Sequence, residues 1–248
     1  MINLVRAEFI KLRTTQTWFW LLLASVAITV ISVIGQTAGK SDLYLFVHRR
    51  DILTSASPAY IAVFVLGALA VTTEFRHQTI TPTVLATPSR WRIVGAKMIA
   101  YALTGAGYAL VCIAFELLMA LPWLHARGIP IQFGDRIGAL ASVFGLVVLM
   151  GLVGLGAGAL IRNQVVAVAV GVITLLILQN LIVLIPGVKH VYPFLPGGAT
   201  AAMLNGSGDR HINGVELLPI GGGVVVLVVW AVGMAVLGAG LTMNRDIT

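Results

Sequence analysis

The sequence predicts an all-α polytopic membrane protein with six transmembrane helices, and three observations carry that class. Hydrophobic residues make up 58% of the 248 and charged residues only 10%. The mean hydropathy of +0.98 lies far above that of a water-soluble domain. Six apolar runs, each long enough for the roughly 20 residues a helix needs to cross the hydrocarbon, are joined by polar connections that hold nearly all the charge. That leaves room for one membrane domain, residues 17–248, behind an N-terminal segment, 1–16, and no space for a soluble catalytic domain.

In the N-terminal segment Ile2, Val5, Phe9 and Leu12 form one helical stripe, with Arg6 and Arg13 on one flank and Glu8 and Lys11 on the other. The pattern predicts an amphipathic helix lying in the membrane interface, its arginines snorkelling to head groups, in preference to a frayed terminus. From Thr14 to Gly39 no residue is charged, and Trp18, Phe19 and Trp20 anchor the start of a first span. The run is too long for the apolar region of a secretory leader and is followed by further spans, so it reads as a retained helix.

Residues 40–57 form a polar connection. Its Gly39-Lys40-Ser41 lacks the glycine a phosphate-binding loop needs, Ile34 standing in that place, and no strand precedes it. A second apolar run, Ile52 to Thr73, enters the membrane from Pro58. It leads into the basic stretch Glu74–Lys97, which carries Arg76, His77, Arg90, Arg92 and Lys97 against the single acid Glu74. The third span, Met98 to Leu124, is apolar except for Glu116 and leaves the membrane at Pro122-Trp123. Glu116 has two readings: a protonatable or substrate-contacting group facing the protein interior, or a carboxylate that reaches water near the far interface. Spans four, five and six run from Ile137 to Ile161, Val165 to about Ile185 and Leu218 to about Met243.

Spans four and six are rich in small residues, among them Gly151, Gly154, Gly156 and Gly158 in the fourth and Gly233, Gly238 and Gly240 in the sixth. Within a spanning helix these predict close backbone packing, and the G-x-G-x-x-A match at Gly154–Ala159 is not a dinucleotide turn. The outer stretch 186–217 carries Tyr192, Phe194 and Met203 among prolines and alanines. It predicts either a short helical hairpin returning towards the bilayer or an unstructured external loop. The lone Cys112 lies in an apolar run and reads as core. Gly206-Ser207-Gly208 near His211 is ordinary turn composition, not a protease nucleophile.

The net charge of +7 is spread through the connections and forms no patch or arm, which points to anionic lipid and a cytoplasmic protein surface rather than nucleic acid. Nine of the sixteen Lys and Arg fall on the side of the N-terminus and seven on the other. The bias is modest, but the dense 74–97 stretch and the basic N-terminus predict both termini in the cytoplasm of a plasma-membrane protein.

Glu74, Arg76, Thr79, Ile80, Leu85, Ala86, Pro88, Arg90 and Ala96-Lys97 together resemble the cytoplasmic stretch of bacterial ABC type 2 permeases, the membrane subunits of ATP-driven exporters. The E-x-x-K-L of Glu8 to Leu12 and the six spans are similar to that family too, so the resemblance covers the whole chain. It implies a coupling helix in the 74–97 loop, seated on a separate cytoplasmic ATP-binding subunit. It also implies two such subunits, a second permease chain, and ATP and Mg bound by the partner, with no cofactor and no catalytic or metal site on this chain. By position it makes Glu74, Arg76, Thr79, Ile80, Leu85 and Arg90 contact or hinge residues, with Arg90 and Lys97 tying the loop to span three. Gln78 stands where the family has glycine, and Pro82 falls within the expected helix. A chain break near residues 76–79 and a short helix around Pro82 to Ala86 accommodate both. The implied activity is export of an amphipathic or hydrophobic cargo such as an antibiotic, peptide or lipid, as in multidrug efflux. The alternatives are a proton-coupled secondary transporter using Glu116 and a non-transporting membrane scaffold.

Overall fold

The computed structural model describes residues 1–38, 51–78, 90–126, 133–205 and 211–243. Helix α1 (Ile2–Thr14) ends where Thr15 turns extended, and α2 (Thr17–Ala38) follows after two residues. Then come α3 (Ala59–Arg76), α4 (Arg90–Ala126) and α5 (Phe133–Leu160). The fifth span is composite: α6 (Gln164–Ile173) passes through a π-helical turn, Thr174–Leu178, into α7 (Gln179–Ile182). A 3₁₀ turn (Lys189–Phe194), α8 (Pro196–Asn205), strands β1 (His211–Ile212) and β2 (Val215–Glu216), and α9 (Ile220–Met243) complete the chain.

Among the described residues six helices are long and apolar enough to cross a membrane, as the sequence predicts. The third departs from expectation at its start. Residues Arg90 to Lys97 are helical and continuous with span three, so α4 is 37 residues long. At 1.5 Å per residue it extends for about 55 Å, well past the hydrocarbon thickness. Its first two turns therefore belong to the basic stretch, not to a loop entering the span.

Lys97 at the start of α4 meets Glu8 of α1 and Glu74 at the end of α3, and Arg76 meets Gln164 at the start of α6, which places α1, the C-terminal end of α3, the start of α4 and the α5–α6 turn at one end of the bundle, the α1 end. The 3₁₀ turn, α8 and the strands occupy the opposite, hairpin end.

Helix α5 is the central post, packed by α3, α4 and α9. Glycine makes that possible. A Cβ on Gly154 would run into the Phe64 carbonyl, one on Gly158 would lie 2.5 Å from the Ala68 carbonyl, and one on Gly156 would lie 2.6 Å from Met234 Cβ. These positions are the close-approach surfaces their spacing predicts. Gly238 does the same against Ala159, but Gly233 and Gly240 meet nothing within 4 Å among the described residues. Hydroxyls buried in the spans are satisfied within their own helices: Ser25, Thr29 and Thr37 donate to the carbonyls of Leu21, Ser25 and Val33.

The hairpin end is folded. Val183, Tyr192, Ala202, Val215 and Leu217 form one small core, and α8 lies against α9 at Gly223 and against α5 at Gly145. The unstructured-loop reading of 186–217 is thus set aside for the described residues. All-α needs one amendment: β1 and β2 pair antiparallel, His211 with Glu216 and Ile212 with Val215. Asn213 (φ 50) and Gly214 (φ 73) make the turn, both in the left-handed region that Asn-Gly supplies to two-residue hairpins.

Candidate functional site

The most concentrated chemistry lies at the α1 end. Glu8 and Lys11 share the inner side of α1 because residues three apart face the same way. Glu74 sits in the last turn of α3, and Lys97 two turns into α4. The four side chains close into one cluster. Lys97 Nζ lies 2.7 Å from Glu8 Oε2 and 2.7 Å from Glu74 Oε1. Lys11 Nζ lies 2.9 Å from Glu8 Oε1 and 2.7 Å from the same Glu74 Oε1. A long contact of 3.5 Å from Lys97 Nζ to the Ala70 carbonyl completes its coordination.

Two cations and two anions cancel, which allows the group to be buried. The Lys97 side chain is 6% exposed, and both carboxylates are 8% exposed. Burial alone pushes the Glu8 carboxyl up, but the ammonium groups of Lys97 and Lys11 outweigh it and hold Glu8 below its ordinary range. Burial likewise pulls Lys11 down, and the carboxylates of Glu74 and Glu8 reverse the sign, raising it above its ordinary range. Glu8 and Lys11 are therefore each held in the charged form by the partners they face. Lys11 is the wet corner of the cluster, at 44% exposed. A cavity of about 150 Å³ opens beside it, lined by Glu8, Lys11, Thr15, Glu74, Tyr101 and Gln164 among leucines. That volume suits a few water molecules at about 30 Å³ each.

The cluster fixes three separate segments to one another. Apolar contacts reinforce it: Leu12 is buried in the same core as Val63, Leu66, Ala70 and Tyr101, with Val5 and Phe9 packed alongside. The Tyr108 hydroxyl donates to the Trp18 carbonyl, tying the start of α2 to α4.

The neighbouring end of α3 is clasped from the other side. Arg76 Nη1 donates to Gln164 Oε1 at 3.2 Å, and the Arg162 guanidinium lies 5.5 Å from the centre of the Phe75 ring. Asn163 caps α6, its Oδ1 accepting from Val165 and Val166. Past Arg76 the helix stops: His77 closes onto Thr73, Gln78 closes onto Phe75, and Gln78 takes φ 53. The break expected near 76–79 is present over its described part. It falls at the residue where glycine was expected, in the backbone region glycine adopts without strain.

Of the residues singled out in the sequence, Glu74 is therefore a buried anchor, while Arg76 is exposed at the helix end. Arg90 begins α4. Thr79, Ile80 and Leu85, with the short helix expected around Pro82 to Ala86, lie outside the described residues.

Glu116 lies far from this cluster, at the hairpin end. It is 0% exposed, so the reading in which it reaches water does not hold. Its Oε1 accepts from the Ser55 amide at 3.2 Å and its Oε2 from the Ala56 amide at 3.3 Å. These amides lie in the turns that lead into α3, so Glu116 caps the entry to span two from span three. Sequence reasoning passed over a second such cap. Gln179, buried directly after the π-helical turn, accepts through Oε1 from the Gly197 amide in the first turn of α8. A polar amide in an otherwise apolar run was the available signal.

Among the described residues no group of three or more His, Cys, Asp and Glu is placed to hold a metal ion. No protein-family model matches this chain, and no curated protein matches it.

Proposed function

We propose that this chain is the membrane permease subunit of an ABC exporter of the type 2 kind, driven by ATP hydrolysis on a separate subunit. The observation that carries the reading is the convergence of Glu8, Lys11, Glu74 and Lys97 in one buried cluster. These residues come from the separate stretches on which the family resemblance rests. Here they join the interfacial helix to the two spans that flank the 77–89 connection.

On this reading the connection seats on the ATPase in the cytoplasm, and the cluster is the rigid joint that turns its movement into tilting of α3 and α4. A joint of this kind needs stiffness at its core and freedom beside it. The charge-paired anchor supplies the first, and the helix end at Arg76 with left-handed Gln78 supplies the second. The packed hairpin of α8, on the far side, is a re-entrant element that closes the outer end of the path. A second permease chain completes the path, and an amphipathic or hydrophobic cargo passes between the two. Glu116, spent on capping two backbone amides, positions span two.

The test is affinity purification of the intact chain from its native membrane. The expected result is a co-purifying P-loop ATPase subunit of about equal stoichiometry. A chain that purifies with no ATPase sinks the reading and leaves the scaffold alternative.

A further inference from the structure

Helix α1 has a second face that the bundle does not use. Ile2 is 84% exposed and Ile10 56% exposed, and Arg6 and Arg13 are exposed between them. With 3.6 residues per turn, positions 2, 6, 10 and 13 fall within about 80° of arc, so the four make one stripe. Neither arginine forms an ion pair among the described residues. The stripe is continuous with neighbouring exposed groups. Met1 Cε approaches Gly95, which sets the N-terminus of α1 beside the first turns of α4, where Trp91 and Arg92 are exposed. At its other end the chain passes through Thr15 and Gln16 to exposed Phe19 and Trp20 at the start of the first span.

We propose that this stripe is a docking surface for anionic phospholipid head groups, with Arg6 and Arg13 taking the phosphates while Ile2 and Ile10 enter the acyl boundary. Charge complementarity selects the occupant. Two guanidinium groups with no ion pair among the described residues call for anions, and two isoleucines on the same face call for an apolar phase; a lipid leaflet offers both in one plane. Continuity with the aromatic start of α2 places the stripe at the depth where head groups lie. A protein partner on this face would have to cover a band that runs onto a membrane-spanning helix. The same 13-residue helix holds Glu8 and Lys11 on its inner side, so lipid docking and cluster formation act on one rigid element. The lipid surface stands whether or not an ATPase binds the chain.

The experiment uses the full chain in phosphatidylcholine nanodiscs, with Cys112→Ala and a fluorophore on Asn3→Cys, an exposed position beside the stripe. Brominated phosphatidylglycerol and brominated phosphatidylcholine are compared as quenchers. Wild type is quenched at a much lower mole fraction of the anionic lipid. Each basic residue close to an anionic surface strengthens binding about fivefold, so Arg6→Gln with Arg13→Gln lowers the preference by up to about 25-fold. The double lysine variant restores most of it. Equal quenching of wild type by both lipids overturns the proposal, as does a preference that survives the double glutamine variant. Protection from both quenchers also overturns it, because the face is then covered by protein.

Discussion

At the α1 end, four charged side chains from three helices neutralise one another at 2.7 to 2.9 Å. At the hairpin end, Glu116 and Gln179 reach from spans three and five to cap backbone amides of the neighbouring segment. The two solutions differ in what happens when one partner is lost. A buried charge cluster fails abruptly, because removing one ion strands another in a poorly solvated place. A side-chain cap fails gently, because it costs one or two hydrogen bonds. The first suits a joint that must transmit force without slack, and the second suits a segment that must remain folded while its surroundings shift.

The largest expected effect follows from that difference. Lys97→Met leaves Glu8 and Glu74 facing each other with only Lys11 between them and is expected to cost about 3–5 kcal/mol, read as a lowered midpoint in thermal unfolding of the purified protein. A loss below about 1 kcal/mol would mean that the cluster is solvated and not a buried joint.

At the other end Glu116→Gln keeps the side chain's size but turns an NH₂ towards one of two amides that need an acceptor. The expected loss is about 1–3 kcal/mol in the same assay, and a loss matching that of Lys97→Met would erase the contrast. Gln179→Ala removes one neutral cap and should cost about 1 kcal/mol, with increased hydrogen exchange confined to α8.

The pH dependence sharpens the contrast further. Glu8 is held below its ordinary 4.5, so its contribution is complete above that value and lost as the pH falls through the depressed one. Lys11 is raised above its ordinary 10.5, so its contribution is complete below that value and lost as the pH rises through the elevated one. Docking of α1 should therefore hold across the neutral range and loosen at both extremes. Limited proteolysis within residues 2–16 as a function of pH would measure this, and a single midpoint near neutrality would contradict it.

The smallest stability effect is expected at Arg76. Its bond to Gln164 is exposed, so Arg76→Ala should change stability by less than about 1 kcal/mol. On the proposed function it should nevertheless separate ATP hydrolysis from export.

How much of this was legible in the sequence depends on which force did the work. The six spans were, because a run such as Ile137 to Leu160 must be helical in lipid whatever its neighbours. Close packing at Gly154 and Gly158 was legible for a similar reason, since small residues at helical spacing leave only one economical use. The cluster was visible only in pieces. Glu8 and Lys11 read as one polar flank of α1 and Lys97 as the end of a basic stretch, but nothing along the chain says that positions 8, 74 and 97 meet. Glu116 shows the same limit. Its burial is one of two readings the sequence leaves open, and its partners are backbone amides of Ser55 and Ala56, which carry no side-chain signal at all. The β-turn at Asn213-Gly214 does carry a local signal, because Asn-Gly supplies the two left-handed residues a tight hairpin needs, whereas the surrounding stretch reads only as a helical hairpin or a loop.

The claim that the α1 end joins an ATPase to the spans is tested most directly by capture of that subunit with three forms of the chain. They are wild type, a variant with residues 76–85 scrambled, and Lys97→Met. The ATPase should come down with wild type and with Lys97→Met, in which the contact survives and only transmission is impaired, and it should be lost from the scrambled variant. Capture by the scrambled variant at the wild-type level would contradict it.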